Sequence, residues 1–162
     1  AGEQERRIFI LGNGGSASTA SHFACDLAKG TSSTVPKRFK VIALTDNIAV
    51  MTAWANDSDY EWIFAEQLRN MAEPDDVVIA ISASGRSPNV LRAVMVAKQV
   101  GADTVGMTGG DGGPLHQMVD FPINVPGGTT EQTEDAHLIL EHLICTDLRR
   151  RYAHVPADEA AG

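Results

Sequence analysis

Ile8-Phe9-Ile10-Leu11-Gly12-Asn13-Gly14-Gly15-Ser16 and Val77-Val78-Ile79-Ala80-Ile81-Ser82-Ala83-Ser84-Gly85-Arg86-Ser87 decide the fold of this chain. Each is an apolar run that breaks into a Gly/Ser turn, and each turn opens a helical pattern. Unbroken apolar runs suit strands buried on both faces, as in parallel sheets. Glycines let the backbone turn tightly and approach a ligand closely. A helix N-terminus offers free N–H groups and the positive end of a dipole, which favour anions. Serine hydroxyls add donors that rotate to suit phosphate oxygens. Two such turns at one sheet edge point to a pocket for a small phosphorylated ligand.

Outward from these turns, strand-like runs recur at residues 7–11, 39–44, 76–81, 104–107 and 121–125. Helical patterns lie between them at 16–29, within 48–56, and at 60–71, 88–100 and 131–151. Strands alternating with helices read as βαβ units with right-handed crossovers, and hence an α/β fold with a parallel sheet covered on both faces. The breaks at 73–76, 109–114 and 126–128 carry Gly, Pro and Asp turn chemistry. A length of 162 residues fits one domain, 1–162, with a sizeable core. Only residues 1–6 precede the first strand, and the small, polar tail at 154–162 is expected to fray.

Thirteen Lys and Arg against 21 Asp and Glu give a net charge of −8, which argues against a nucleic-acid surface. The basic run Arg149-Arg150-Arg151 falls near a predicted helix end, where it complements the dipole. Neither a signal peptide nor a membrane-spanning apolar run is present, so the expected location is the cytoplasm, with no membrane partner. Cys25 and Cys145 fall on apolar faces of predicted helices and read as buried free thiols.

Gly12–Ala17 also fits the loose dinucleotide pattern GxGxxA, with Asp46 after the second strand. The interval to that acid exceeds the usual ~20 residues, and the second Ser-rich turn would have no task. No nucleotide cofactor is expected. Ser82, Ser84 and Ser87 offer three hydroxyls across a turn and a helix start with Pro88 behind them. Helix capping needs one hydroxyl, so phosphate binding is the better reading. His22 and Asp26 share a helix face, and Glu134 and His142 lie broadly on one side of the long C-terminal helix. Spacing alone leaves a metal site, an acid/base pair and ordinary helix residues all open. Asp135 and Glu141 are expected on the solvated face, with His137 undecided. Leu138, Ile139, Leu143, Ile144 and Leu148 read as the apolar stripe of that helix, suited to the sheet and to another subunit.

The motifs together resemble the sugar isomerase (SIS) domain family, nearest its phosphoheptose isomerase branch. They are G-N-G-G-S-A at Gly12–Ala17, H-F-A-x-x-L from His22, A-N-D from Ala55, I-S-x-S-G-x-S-P-N-V-L-R-A from Ile81, and T-G-x-D-G-G from Thr108. The resemblance spans nearly the whole chain, from Ile8 to about Leu148. It implies a three-layer αβα sandwich around a five-stranded parallel sheet, flavodoxin- or Rossmann-like, and a homotetramer with sites at subunit interfaces. The family pattern also implies an N-terminal helix ahead of the first strand, where this sequence shows six residues.

On this pattern Asn13, Gly14, Gly15 and Ser16 would contact a sugar phosphate, and Asn56 and Asp57 would line the sugar site. Ser82, Ala83, Ser84 and Ser87 would cradle the phosphate. His22, Asp26, Glu134 and His142 would hold zinc, with Asp26, His142 and Glu134 catalytic. The family carries glutamate at the place of Asp26 and glutamine at that of Glu134. The shorter aspartate draws its carboxylate back by about an ångström, a displacement on the scale that can cost ~100-fold in rate. The implied reaction converts sedoheptulose 7-phosphate to D-glycero-D-manno-heptose 7-phosphate through an enediol. The alternatives are isomerisation of another sugar phosphate, or a non-catalytic phosphosugar-binding protein acting through a protein partner.

Overall fold

The structure, a computed structural model, describes residues 6–35 and 38–153. The tail expected to fray lies outside the described residues, as does most of the short N-terminal lead. Five strands form one sheet: β1 (Arg7–Gly12), β2 (Lys40–Ala43), β3 (Val77–Ser82), β4 (Asp103–Gly109) and β5 (Phe121–Val125). All neighbours pair in parallel, in the order β2-β1-β3-β4-β5. The order reverses between β1 and β3, so the connections leaving these two neighbours run to opposite faces and open a crevice at their C-terminal ends. The register sets Gly12 beside Ile81, which brings the two Gly/Ser turns to that one crevice.

Six α-helices cover the sheet: α1 (Gly15–Cys25), α2 (Ile48–Asp57), α3 (Ala65–Met71), α4 (Pro88–Val100), α5 (Gly113–Met118) and α6 (Thr130–Tyr152). A π-helical turn, Asp26–Gly30, continues α1, and a 3₁₀ turn, Tyr60–Trp62, precedes α3. Side chains alternate across each strand. Phe9, Leu11, Val78 and Ala80 face a core with Leu68, Val90 and Leu115 from α3, α4 and α5. Ile8, Ile10, Ile79 and Ile81 face the other, with Phe23 of α1 and Cys145 of α6. Full burial of such a side chain is worth about 1.5–3 kcal/mol, so β1 and β3 are anchored from both faces.

Local chemistry sets the helix ends. Pro88 starts α4, and Gly101 closes it in the left-handed conformation at φ 90°. Thr129 and Gln132 form a reciprocal capping box that starts α6 beside the crevice. Arg149, Arg150 and Arg151 occupy its last turn, as the dipole argument expects.

Three expectations change. The Gly-rich break at 109–114 gives way to a short helix, α5. Cys25 is exposed, and only Cys145 is buried. The stripe of α6 that packs inward is Thr133, His137, Glu141 and Cys145, four residues apart each time. Ile144 and Leu148 reach the core only in part, while Ile139 and Leu143 are 60 % and 58 % exposed. Helix α1 buries Ala20 and Phe23 against the sheet, and its packing with α6 brings polar side chains between the two helices. Among the described residues no helix is long and apolar enough to cross a membrane.

Candidate functional site

A cavity of about 410 Å³ opens over the C-terminal ends of β1, β3 and β4. Asn13 and Ser16 of the first turn, Ser82, Ser84 and Ser87 of the second, and Glu134 of α6 all line it. Ser87 is the N-cap of α4, yet its hydroxyl makes no cap bond and lies 3.3 Å from Ser82 Oγ. The hydroxyl is therefore available to a ligand at a helix N-terminus. Ser84 Oγ accepts the Arg86 N–H at 3.2 Å, and the Arg86 side chain pairs with Asp111 at 2.5 Å across the cavity rim.

The second turn is packed tightly underneath. Gly85 has φ +61°, and a Cβ there would collide with the Gly112 carbonyl. Its N–H donates to Ser82 O at 2.9 Å, and its carbonyl accepts the Leu115 N–H at 3.1 Å. Gly12 is similarly confined: a Cβ would lie 2.8 Å from Ser16 and 2.9 Å from Ile81 O.

A reciprocal amide pair joins the first turn to α4. Asn13 Nδ2 donates to Asn89 Oδ1 and Asn89 Nδ2 to Asn13 Oδ1, both at 2.8 Å. The Tyr60 hydroxyl donates to Asn13 Oδ1 at 3.1 Å. Asn89 is buried, so the pair pins the two turns to each other.

A second group of polar side chains lies between α1 and α6. His22 and Asp26 come from α1 and the start of its π-helical turn, and His142 from α6. The two Nε2 atoms face each other at 3.1 Å, and Asp26 Oδ2 is 3.8 Å from each. The fourth member is Glu141, which is wholly buried, contrary to its expected place on the solvated face. Its Oε1 is 3.5 Å from His22 Nε2 and 3.1 Å from His142 Nε2, yet neither carboxylate oxygen has a hydrogen-bond partner. Burial pushes the Glu141 carboxyl above the ordinary range; His142 opposes that rise, Asp26 adds to it, and His22 opposes it. One ligand atom from each of the four side chains lies within 4.8 Å of the others. Two imidazoles and two carboxylates are a donor set suited to zinc or a similar divalent ion.

Glu134 is not one of these four. It begins two turns earlier on α6, about 12 Å along the axis from His142. Its carboxylate packs on Gly15, where a Cβ would strike it, and it lines the cavity. Gly14, exposed at φ +55°, caps α1, and Ala83 joins the cavity wall. Asn56 and Asp57 stand exposed at the end of α2, bonded to each other at 2.7 Å and outside the cavity lining. Asp135 is exposed, as expected. His137 is fully buried, with Nε2 on the Thr108 carbonyl at 3.1 Å, and burial lowers its pKa.

Glu141 is the residue that sequence reasoning missed. The signal was present in the four-residue spacing of Thr133, His137, Glu141 and Cys145, but that stripe is less apolar than its neighbour.

A family model described as SIS domain matches residues 1–109, two thirds of the chain. The chain belongs to the SIS-domain family. Within that family it is similar to phosphoheptose isomerases. That of Geotalea daltonii is 38 % identical over 146 residues, covering 90 % of this chain and 76 % of the relative. That of Crocosphaera subtropica is 42 % identical over 139 residues, covering 86 % and 70 %. The solved phosphoheptose isomerase of Neisseria gonorrhoeae superposes with a TM-score of 0.82 at 33 % identity, covering 89 % of this chain and 76 % of that one. The Francisella tularensis enzyme gives 0.81 at 30 % identity, with 90 % and 76 % covered. The SIS fold of this chain, a five-stranded parallel sheet between helices, is therefore that of an isomerase branch.

Proposed function

We propose that this SIS-domain protein is an aldose–ketose isomerase that converts sedoheptulose 7-phosphate to D-glycero-D-manno-heptose 7-phosphate. The observation that carries the reading is that both Gly/Ser turns meet in one cavity, and that α1, which starts at the first of them, bears His22 and runs on into the π-helical turn that bears Asp26. Ser16 and His22 are six residues apart, about 9 Å of axial rise. That length separates the cavity end of α1 from a proton-transfer end, which suits an extended sugar phosphate. The names of the relatives support the same substrate.

In this reading Ser82, Ser84 and Ser87, with the α4 N-terminus, bind the phosphate. Asn13, Gly14, Gly15 and Ser16 position the sugar; for Asn56 and Asp57, which stand outside the cavity lining, the family resemblance alone supports the same role. Phosphate binding far from the reacting carbons supplies orientation. Asp26, or Glu134 at the cavity wall, removes the C1 proton of the ketose and leaves a cis-enediol. His142 takes the O1 proton and delivers one to O2, and the carboxylate returns its proton to C2.

His22, Asp26 and His142 suit a divalent cation, zinc by donor type, and the orphaned oxygens of Glu141 beside them are an unmet demand for positive charge. Such an ion supplies Lewis acidity toward a carbonyl oxygen. The reading includes a homotetramer, supported by exposed Ile139 and Leu143 on α6.

The test is proton NMR of sedoheptulose 7-phosphate in heavy water, with and without zinc. A new aldose signal with deuterium at C2 is the expected result. A folded protein that binds the sugar phosphate but neither converts nor exchanges it would point to a binding protein acting through a partner.

A further inference from the structure

We propose that Glu141 is a direct ligand of the divalent metal held by His22, Asp26 and His142, and that it, rather than Glu134, completes the coordination shell in this chain. The inference rests on the metal reading above and assigns a role to a residue that the family resemblance leaves without one.

Three observations carry it. First, Glu141 is 0 % exposed and both its oxygens lack a hydrogen-bond partner. A buried carboxylate needs a counter-charge or donors. The groups facing it are two imidazoles and a second carboxylate, Asp26. Neutral imidazoles do not cancel two negative charges, whereas one divalent cation does.

Second, the spacing is that of ligands around one ion. A tetrahedral site with bonds of about 2.0–2.1 Å has ligand-to-ligand edges of about 3.3 Å. The His22–His142 and His142–Glu141 edges are 3.1 Å, and the His22–Glu141 edge is 3.5 Å. Asp26 stands at 3.8 Å from both histidines, a few tenths of an ångström beyond such an edge, and all four ligand atoms lie within 4.8 Å of one another. Glu141 meets the distance to the histidines but not the direction of a hydrogen bond, as expected when donor atoms converge on a point between them.

Third, Glu134 is engaged elsewhere. Its carboxylate rests on Gly15 and lines the cavity, about 12 Å along the helix from the His142 turn. Residues 141 and 142 leave α6 about 100° apart, yet Glu141 Oε1 and His142 Nε2 stand 3.1 Å from each other.

The competing assignment is a structural ion-pair cluster, with protonated His22 and His142 neutralising the two carboxylates. Chelator-stripped wild type, Glu141→Gln, Glu134→Gln and Glu141→Leu separate the two. Each is titrated with Co²⁺, read by its visible d–d bands and by competition with Zn²⁺, and each is melted with and without metal. Glu141→Gln is expected to weaken Co²⁺ binding by at least the ~10–100-fold that changes merely supporting a ligand cost, and to alter the bands. Glu134→Gln is expected to leave both unchanged. Metal-free Glu141→Leu is expected to melt above metal-free wild type, because the orphan charge is gone. Unchanged affinity and spectrum in Glu141→Gln would overturn the proposal, as would a loss carried by Glu134→Gln or a wild type that binds no Co²⁺. Metal-free Glu141→Leu melting below wild type would assign Glu141 to the ion-pair cluster instead.

Sedoheptulose 7-phosphate turnover on the same samples keeps the two readings apart. Metal lost by Glu141→Gln, with a wild type that does not convert the sugar, sinks the isomerase reading alone. Conversion by wild type, with metal binding unchanged in Glu141→Gln, sinks this inference alone.

Discussion

Replacing Gly85 with alanine tests whether the second turn is as tightly packed as the geometry requires. Two costs add. At φ +61° an L side chain meets its own backbone, worth about 1–2 kcal/mol. The new Cβ would also drive into the Gly112 carbonyl, and overpacking of this kind costs about 1–3 kcal/mol. The loop cannot swing aside freely, since Gly85 is held through Ser82 O at 2.9 Å and Leu115 N at 3.1 Å. The total is about 2–5 kcal/mol. Gly101→Ala is the control. It shares the left-handed conformation, at φ 90°, but its Cβ would meet only Pro74 at an ordinary 3.8 Å. It should lose about 1–2 kcal/mol and no more. Urea unfolding followed by circular dichroism measures both, provided the slope m is unchanged. Gly85→Ala should also raise KM, because the displaced loop carries Ser84. If Gly85→Ala is no more destabilised than Gly101→Ala, the argument from close backbone approach is wrong.

Other substitutions probe the chemistry. Asp26→Asn should abolish turnover while sparing binding of a phosphate ligand; a near-normal rate would transfer the base role to Glu134 or elsewhere. Ser87→Ala should raise KM about 5–10-fold, the loss of one hydrogen bond of ~1 kcal/mol. It should leave stability within about 0.5 kcal/mol, because Ser87 makes no cap bond; a cap would cost ~1 kcal/mol in urea unfolding. The Lys98 and Thr104 hydrogen bonds hold the Asp120 carboxyl at about 2, below 3.8. Its folded-state value is depressed, so its stabilisation is present above pH 3.8 and lost as pH falls through about 2. With the side chain 40 % exposed, screening limits this to about 1 kcal/mol. Asp120→Asn should therefore cost about that much at pH 7, with the gap closing in melts taken below pH 4.

The parts of the fold set by local chemistry were legible in the sequence. Helix α4 starts and stops where Pro88 and Gly101 require, and β5 spans the apolar run at 121–125. The two Gly/Ser turns met at one crevice because any parallel sheet that reverses order between their strands must bring them together. What escaped was set by tertiary contact. Helix α5 begins inside a Gly-rich run whose composition reads as a break, and Leu115 stabilises it from the core. The shift from α to π geometry at Asp26 has no compositional mark. Glu141 looks like a surface residue because charged residues are seldom fully buried. Its environment comes from α1, more than a hundred residues earlier. The serines of the second turn, by contrast, were legible as cavity residues, three hydroxyls where a cap needs one.

The Asn13–Asn89 pair exchanges a hydrogen bond in each direction, so the two amides form one recognition unit assembled from positions 76 residues apart. Changing either side chain alone leaves the other with a donor or acceptor unanswered in a partly buried place, a penalty of about 1–3 kcal/mol. An Asn13→Asp change is the sharpest case, since it sets one acceptor against another. Either residue changed alone therefore carries that penalty, and only a paired change that restores both hydrogen bonds escapes it. The distance between the first Gly/Ser turn and the start of α4 is thus protected by a lock with two keys, neither of which can be recut alone.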